Sequence, residues 1–408
     1  MTFEFLQPHH RRRIIGAAAA AAAALTTTVV AASGGPAGAA AMAPSPVLQT
    51  LTYTATGPGG GLNRPIGVSA ADGTVYVSNT GANVVAALAN GATTAVAGSL
   101  SAFGEHGDGG TATSASMYRP GGTAEDAQGD IFLADSGDNT VREITPSGVI
   151  SRIAGTGIAG LGFAGPRPLG FPATLSSLDR PQYVAVNAQG DVFVADTYNN
   201  RVVEVTPSGQ VFAVAGDGFA GYSGDGHLAA FAELNQPTGV AVDAQGNLYI
   251  ADSANNVIRR VDAKTGIITT VAGDFAADKA NDGLGGFSGD GGPATSAQLN
   301  DPQGIAIDGA GDLFIADTFN NAIREVTPAG TITTVVNSAT ASGGAPPAGG
   351  ETNGVAPTAS KLNTPYGVAI DQSTDVLYIA DTTNSKIAAV TGLAQPGDAA
   401  GPTAPAQS

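Results

Sequence analysis

The stretch LNDPQGIAIDGAGDLFIADTFNNAIREVTPAGTITTV, Leu299 to Val335, recurs in recognisable form six times along the chain, and this repetition constrains the fold more than any other feature. Two marks register the copies. One is a proline after a Leu-Asn-like pair, at Pro65, Pro120, Pro181, Pro237, Pro302 and Pro365. The other is the Ala-Asp that closes the next apolar run, at Asp135, Asp196, Asp252, Asp317 and Asp381, with Asn79 in the first copy. Successive prolines lie 55, 61, 56, 65 and 63 residues apart, so the unit is constant and the spacer varies.

Inside the unit the periodicity is that of strands. GIAID and DLFIAD alternate or run apolar over five or six residues, AIREV and TITTV follow, and Gly, Asn or Pro stands at every break. The first link (AQGD, AQGN, GAGD) has the Gly needed for positive backbone angles in a tight hairpin; the second is Asn-rich (SGDN, TYNN, SANN, TFNN) and the third is TPSG, AKTG or TPAG. Each unit therefore reads as a four-stranded antiparallel meander. One meander cannot bury both its faces, so such units stack around an axis, and six of them predict an all-β, six-bladed β-propeller. The sixth copy ends near Leu393 without a fourth strand, whereas SPVLQTLTYTATG at 45–57 alternates like one. Residues 46–56 are expected to supply the outer strand of blade six and close the ring.

The pattern Pro-x-Gly-Val-Ala-Val-Asp, Gly-Asn-Leu-Tyr-Ile-Ala-Asp and Asn-Asn-x-Ile-Arg at 237–259 resembles the NHL repeat, and GFSGDGGPATSAQLNDP at 286–302 resembles linkers of teneurin-type NHL domains. The resemblance spans roughly residues 60–390 and implies the propeller fold. It implies no single activity, since one fold serves many functions. Lyases that share this fold, such as the peptide-amidating lyase and virginiamycin B lyase, rely on histidines around a pocket.

Residues 1–43 have the plan of an export signal: Arg11, Arg12 and Arg13, an apolar run from Ile14, then small residues with Ala39-Ala40-Ala41 or Ala41-Met42-Ala43 as cleavage sites. Arg11-Arg12 ahead of Ile14-Ile15 resembles a twin-arginine signal; a general-secretion signal and an uncleaved anchor are the alternatives. The organisation is then an export signal at 1–43, a propeller at 44–393 and a Pro/Ala/Gly-rich tail at 394–408. The expected location is secreted, periplasmic or at the cell surface, with no membrane span after cleavage. The chain has no cysteine, which excludes disulfides and thiol catalysis. Its net charge is −17, and without residues 1–43 it carries 14 basic against 33 acidic residues, which repels nucleic acid and anionic lipid.

The variable segments 99–118, 156–177, 217–233, 274–298 and 337–361 are expected to crowd one face, where long loops on a rigid scaffold usually carry binding. Features repeated in every blade read as structural. The Ala-Asp aspartates should cap the Asn-rich turn or pair with Arg142, Arg259 and Arg324, and the series Tyr76, Phe132, Phe193, Tyr249, Phe314 and Tyr378 should form the core between blades. The loops HGDGG (106–110), SGDGH (223–227) and SGDGG (288–292) raise a calcium site at Asp108, Asp225 or Asp290, although each supplies only one carboxylate; no other cofactor is expected.

Departures from the repeat are more informative. Ahead of the registering proline the first three copies have Arg64, Arg119 and Arg180, and the last three have Gln236, Asp301 and Thr364. Nearby, Gln182 and Tyr183 replace the Thr-Gly of blade four, and Glu125 stands where blade four has Val242. These residues are the candidate ligand contacts: guanidinium groups at the central mouth suit an anionic or carbonyl-rich ligand. Pairing of each arginine with a blade aspartate is the competing expectation. Beyond the signal only His106 and His227 remain, both in linkers, so the histidine set of the lyases is missing. The sequence favours a monomeric binding scaffold for a protein, peptide or envelope glycan; the alternative is a metal-assisted lyase or hydrolase of the same fold.

Overall fold

Each copy folds as the alternation dictates. In the fourth, Pro237–Val242, Leu248–Asp252, Val257–Val261 and Ile268–Ala272 form one antiparallel sheet, innermost strand first. Six such sheets surround an axis, so the computed structural model is a six-bladed β-propeller. It describes residues 46–393 except 52–53, 56–60, 72, 90, 100–103, 105, 166, 168–169, 281–282 and 338–353. The expected export signal at 1–43 and the tail at 394–408 lie outside the described residues. No described helix is long and apolar enough to cross a membrane.

The ring closes as the sequence predicts. Val47–Thr50 pairs antiparallel with Lys386–Thr391, Leu48 facing Val390, and Leu48 is completely buried. The expected strand at 46–56 is shorter, however, and divided. Thr54–Ala55 leaves blade six and pairs in parallel with the outer strand of blade one, Ala92–Ala97. The N-terminal segment thus joins both blades at the seam.

The core lies between blades. Phe132, Phe193, Phe314 and Tyr378 are buried there, with Tyr76 and Tyr249 half-buried against the same clusters. Their neighbours are the Val, Ile, Leu and Ala of the facing sheet, which is the packing a stack of two-faced meanders requires.

Two features differ from the sequence expectation. The links of blades one to five are single 3-10 turns, such as Ser253–Asn255, and that of blade six is a plain turn, each followed by or ending on a residue with left-handed backbone: Asn83, Asn139, Asn200, Asn256, Asn321 and Ser385. And the long linkers do not all crowd the mouth. Their middles run down the outer edge of the following blade, where Thr111 bridges Val149, Leu228 bridges Ile267 and Pro293 bridges Thr331. In blade three Phe171–Pro172 adds a short fifth strand to Gln210–Ala215. Outer strands carry unpaired backbone groups, and these linkers cover them. The linker ahead of blade five also holds a short helix, Phe275–Ala280, whose Phe275 ring stacks on Tyr222 at 3.9 Å.

Candidate functional site

The mouth is built by repeated hydrogen bonds between blades. In each blade the residue before the registering proline has positive φ: Arg64 at 49°, Arg119 at 54°, Arg180 at 48°, Gln236 at 48°, Asp301 at 51° and Thr364 at 48°. That conformation costs a non-glycine residue about 1–2 kcal/mol. A bond from the neighbouring blade holds it: the N–H groups of Arg119, Arg180, Gln236, Asp301 and Thr364 donate to Oδ1 of Asn83, Asn139, Asn200, Asn256 and Asn321 at 2.7–3.0 Å. Arg64 closes the circle by donating to Ser385 Oγ at 3.3 Å. A second set runs from the residue after the Ala-Asp, as when Thr80 donates to the Pro120 carbonyl at 2.7 Å and Thr382 to that of Pro65 at 2.6 Å.

The Ala-Asp aspartates are structural, as their repetition implies. Oδ1 of Asp135, Asp196, Asp252, Asp317 and Asp381 accepts a backbone N–H two residues ahead of the registering proline, at 2.7–2.9 Å. Asn79 does the same in blade one, with Asn63 as donor. Burial raises the carboxyl pKa above the ordinary range, to about 6 for Asp252 and Asp317 and to about 8 for Asp135, where the Asp138 charge adds to it.

The aspartates of the GDG loops meet arginines. Arg142, Arg259 and Arg324 are completely buried, and each joins its blade aspartate to the linker: to Asp108 at 2.8 Å, Asp225 at 2.7 Å and Asp290 at 2.8 Å. The three loop carboxylates expected as calcium ligands therefore sit one per blade on a guanidinium. No group of three or more Asp, Glu or His that could hold a metal occurs among the described residues. Blade three has Val203 at the arginine position, and Arg201 reaches Asp196 at 2.8 Å instead.

Arg64, Arg119 and Arg180 behave differently. They are exposed, and among the described residues no carboxylate lies within ion-pair distance of any of them. All three line one cup of about 410 Å³ at the mouth, with Gln182, Gln236, Tyr118, Tyr198, Tyr366 and Asp179. A second lobe of about 400 Å³ shares Arg64 and Arg119 and extends between blades one and two. The Arg180 guanidinium lies over the Tyr198 ring, 5.2 Å from its centroid.

Two of the expected contacts lie elsewhere. Tyr183 is below the cup. It occupies the position held by Gly67, Gly122, Gly239, Gly304 and Gly367 in the other blades, and its side chain crosses the axis to donate to the Ile66 carbonyl at 2.9 Å. A Cβ on Gly122 would lie 2.3 Å from its ring and one on Gly367 3.0 Å from its hydroxyl, so these two glycines make room for this one tyrosine. Glu125 ends the innermost strand Pro120–Glu125, roughly 16 Å from the mouth at about 3.3 Å per residue. There it accepts from Ser69 Oγ at 2.8 Å. His106 and His227 remain in the linkers and do not line the cup.

Residues 217–282 and 278–353 match the teneurin NHL domain, and residues 178–204 match the NHL repeat. Blades three to five thus match NHL-type repeat models. The chain is 34% identical to human teneurin-4 over 233 residues, 53% of the chain, and 29% identical to mouse teneurin-1 over 235 residues, 54% of the chain. It spans only 8% of the length of these relatives. Among solved structures it resembles an auxiliary nutrient binding protein of Bacteroides thetaiotaomicron, with a TM-score of 0.56 and 13% identity over 85% of this chain and 76% of that one. A protein of the same description from Bacteroides ovatus gives 0.57 and 16% over the same shares. At such identities the likeness is one of fold.

Proposed function

We propose that the chain is an extracytoplasmic binding propeller that holds an anionic or carbonyl-rich ligand in the cup of its loop-rich face. One observation carries this reading: three exposed arginines, from three successive blades, line a single cup without a carboxylate partner on a chain of net charge −17. Arg142, Arg201, Arg259 and Arg324 are paired with aspartates, so guanidinium groups side by side without a carboxylate are an electrostatic cost that a bound anion removes. The cup is of ligand size, since small-molecule sites run from roughly 300 to 1,000 Å³. The export pattern of residues 1–43 supports the location.

The test is a thermal-shift comparison of the protein and its R64Q/R119Q/R180Q variant with citrate, sulfate and galacturonate at low ionic strength. Ligands that bind only the folded state raise Tm. The carboxylates are expected to raise it for the wild type and not for the variant; equal shifts for both would sink the proposal.

A further inference from the structure

The cup holds more than its guanidinium groups, and the remainder narrows the ligand. The hydroxyls of Thr80 and Thr238 at its wall are consumed by bonds between blades, and the Gln303 amide is held by Asp301 at 2.8 Å. The amides of Gln182 and Gln236, the Tyr366 phenol and the Asp179 carboxylate keep their side-chain polar atoms without a protein partner among the described residues. Asp179 is the discriminating group. A carboxylate beside the cationic cup opposes any small inorganic anion, but it accepts hydrogen bonds from hydroxyls. Two tyrosine rings are also exposed at the wall, Tyr118 at 42% and Tyr198 at 48%, and offer flat apolar surface with a polar tip. A simple dicarboxylate has no donor for Asp179 and no face for the rings, and a fatty acid has no donor for Asp179.

Resting on the anion-binding reading above, we infer that the ligand is a short acidic saccharide, a uronate-containing oligomer of at least two sugar units. Its carboxylates meet Arg64, Arg119 and Arg180, its hydroxyls meet Gln182, Gln236, Tyr366 and Asp179, and an apolar ring face lies on Tyr118 or Tyr198. The two lobes that share Arg64 and Arg119 give room for more than one ring.

Calorimetric titration of the full chain with three probes tests this: digalacturonate, its neutral methyl ester and adipate, a dicarboxylate without hydroxyls. Digalacturonate is expected to bind at least tenfold more tightly than either of the others. Tyr118→Ala and Tyr198→Ala should each weaken it several-fold while Tyr118→Phe and Tyr198→Phe do not. Asp179→Asn should weaken digalacturonate and strengthen adipate. Adipate binding as tightly as digalacturonate, in a manner that requires the arginines, would overturn the saccharide assignment and leave the anion reading standing. No binding by either acid, or binding that survives R64Q/R119Q/R180Q, would overturn both.

Discussion

The same residue type does two jobs in this propeller, and its surroundings decide which. Arg142, Arg259 and Arg324 are buried beside the buried blade aspartates, so removing one leaves that carboxyl without its cation, and breaking such a pair costs about 3–5 kcal/mol. Arg259→Met is expected to lower unfolding stability by that order in urea denaturation, whereas Arg119→Gln, at an exposed and unpaired site, changes it little. Blade one supplies an internal control. It has Ala86 at the arginine position and the uncharged Asn79 at the aspartate position, so cation and anion are both absent there, whereas blade six keeps Asp381 with Ala388 at the arginine position. Titration gives a second expectation. Burial, then the charges of Asp312 and Asp308, raises Glu325 to about 7, and Asp135 is raised to about 8. Both native pKa values exceed the unfolded ones, so in the interval between them the folded state holds protons that the unfolded chain has released. Stability should therefore rise as pH falls from about 8 to 5, and Glu325→Gln should flatten part of that slope in denaturation curves taken across the range.

At the scale of the element, the strands, their order and the prolines that start them were legible, because alternation and Gly or Asn breaks are local signals. The outer-edge course of the linkers was not. Contacts such as Leu228 with Ile267 join a linker to a strand that the repeat pattern does not connect with it. The GDG aspartates had a signal that was available. The loop and an arginine seven residues after the blade aspartate occur together in copies two, four and five, while copies one, three and six have Ala86, Val203 and Ala388 there. Reading oxygen donors alone suggests calcium; reading the co-occurrence suggests an ion pair. Tyr183 was visible as a departure from the repeat, but its depth follows from Gly122 and Gly367 beside it, which only the closed ring brings together. Tyr183→Phe removes the bond to the Ile66 carbonyl and leaves that acceptor buried, at a cost of about 1–3 kcal/mol, measurable by urea denaturation. An unchanged midpoint would show that filling the axis, and not the hydroxyl, is what the site requires.

For the whole molecule, closure and the cup are linked. The seam between blades six and one is held by Leu48 on one side and by the Thr54–Ala55 pairing on the other, and Arg64 stands beside it with its N–H on Ser385. Deleting residues 46–55 is expected to lower Tm by several degrees and to weaken ligand binding, since Arg64 loses its fixed neighbour; an unchanged melt would contradict the closure. The gathering of three arginines at one side of the mouth was foreseeable once six blades in chain order were accepted, because adjacent copies become adjacent blades. The central claim is that these three guanidinium groups bind the ligand's negative charge. The most direct measurement is the affinity for digalacturonate as a function of salt, for the wild type and for R64Q/R119Q/R180Q. Charge–charge binding at an exposed site weakens as salt screens it. The wild type should bind tightly at low salt and lose affinity steeply as salt rises, with the variant weak and nearly insensitive throughout; matching affinities and slopes for the two proteins would contradict the account.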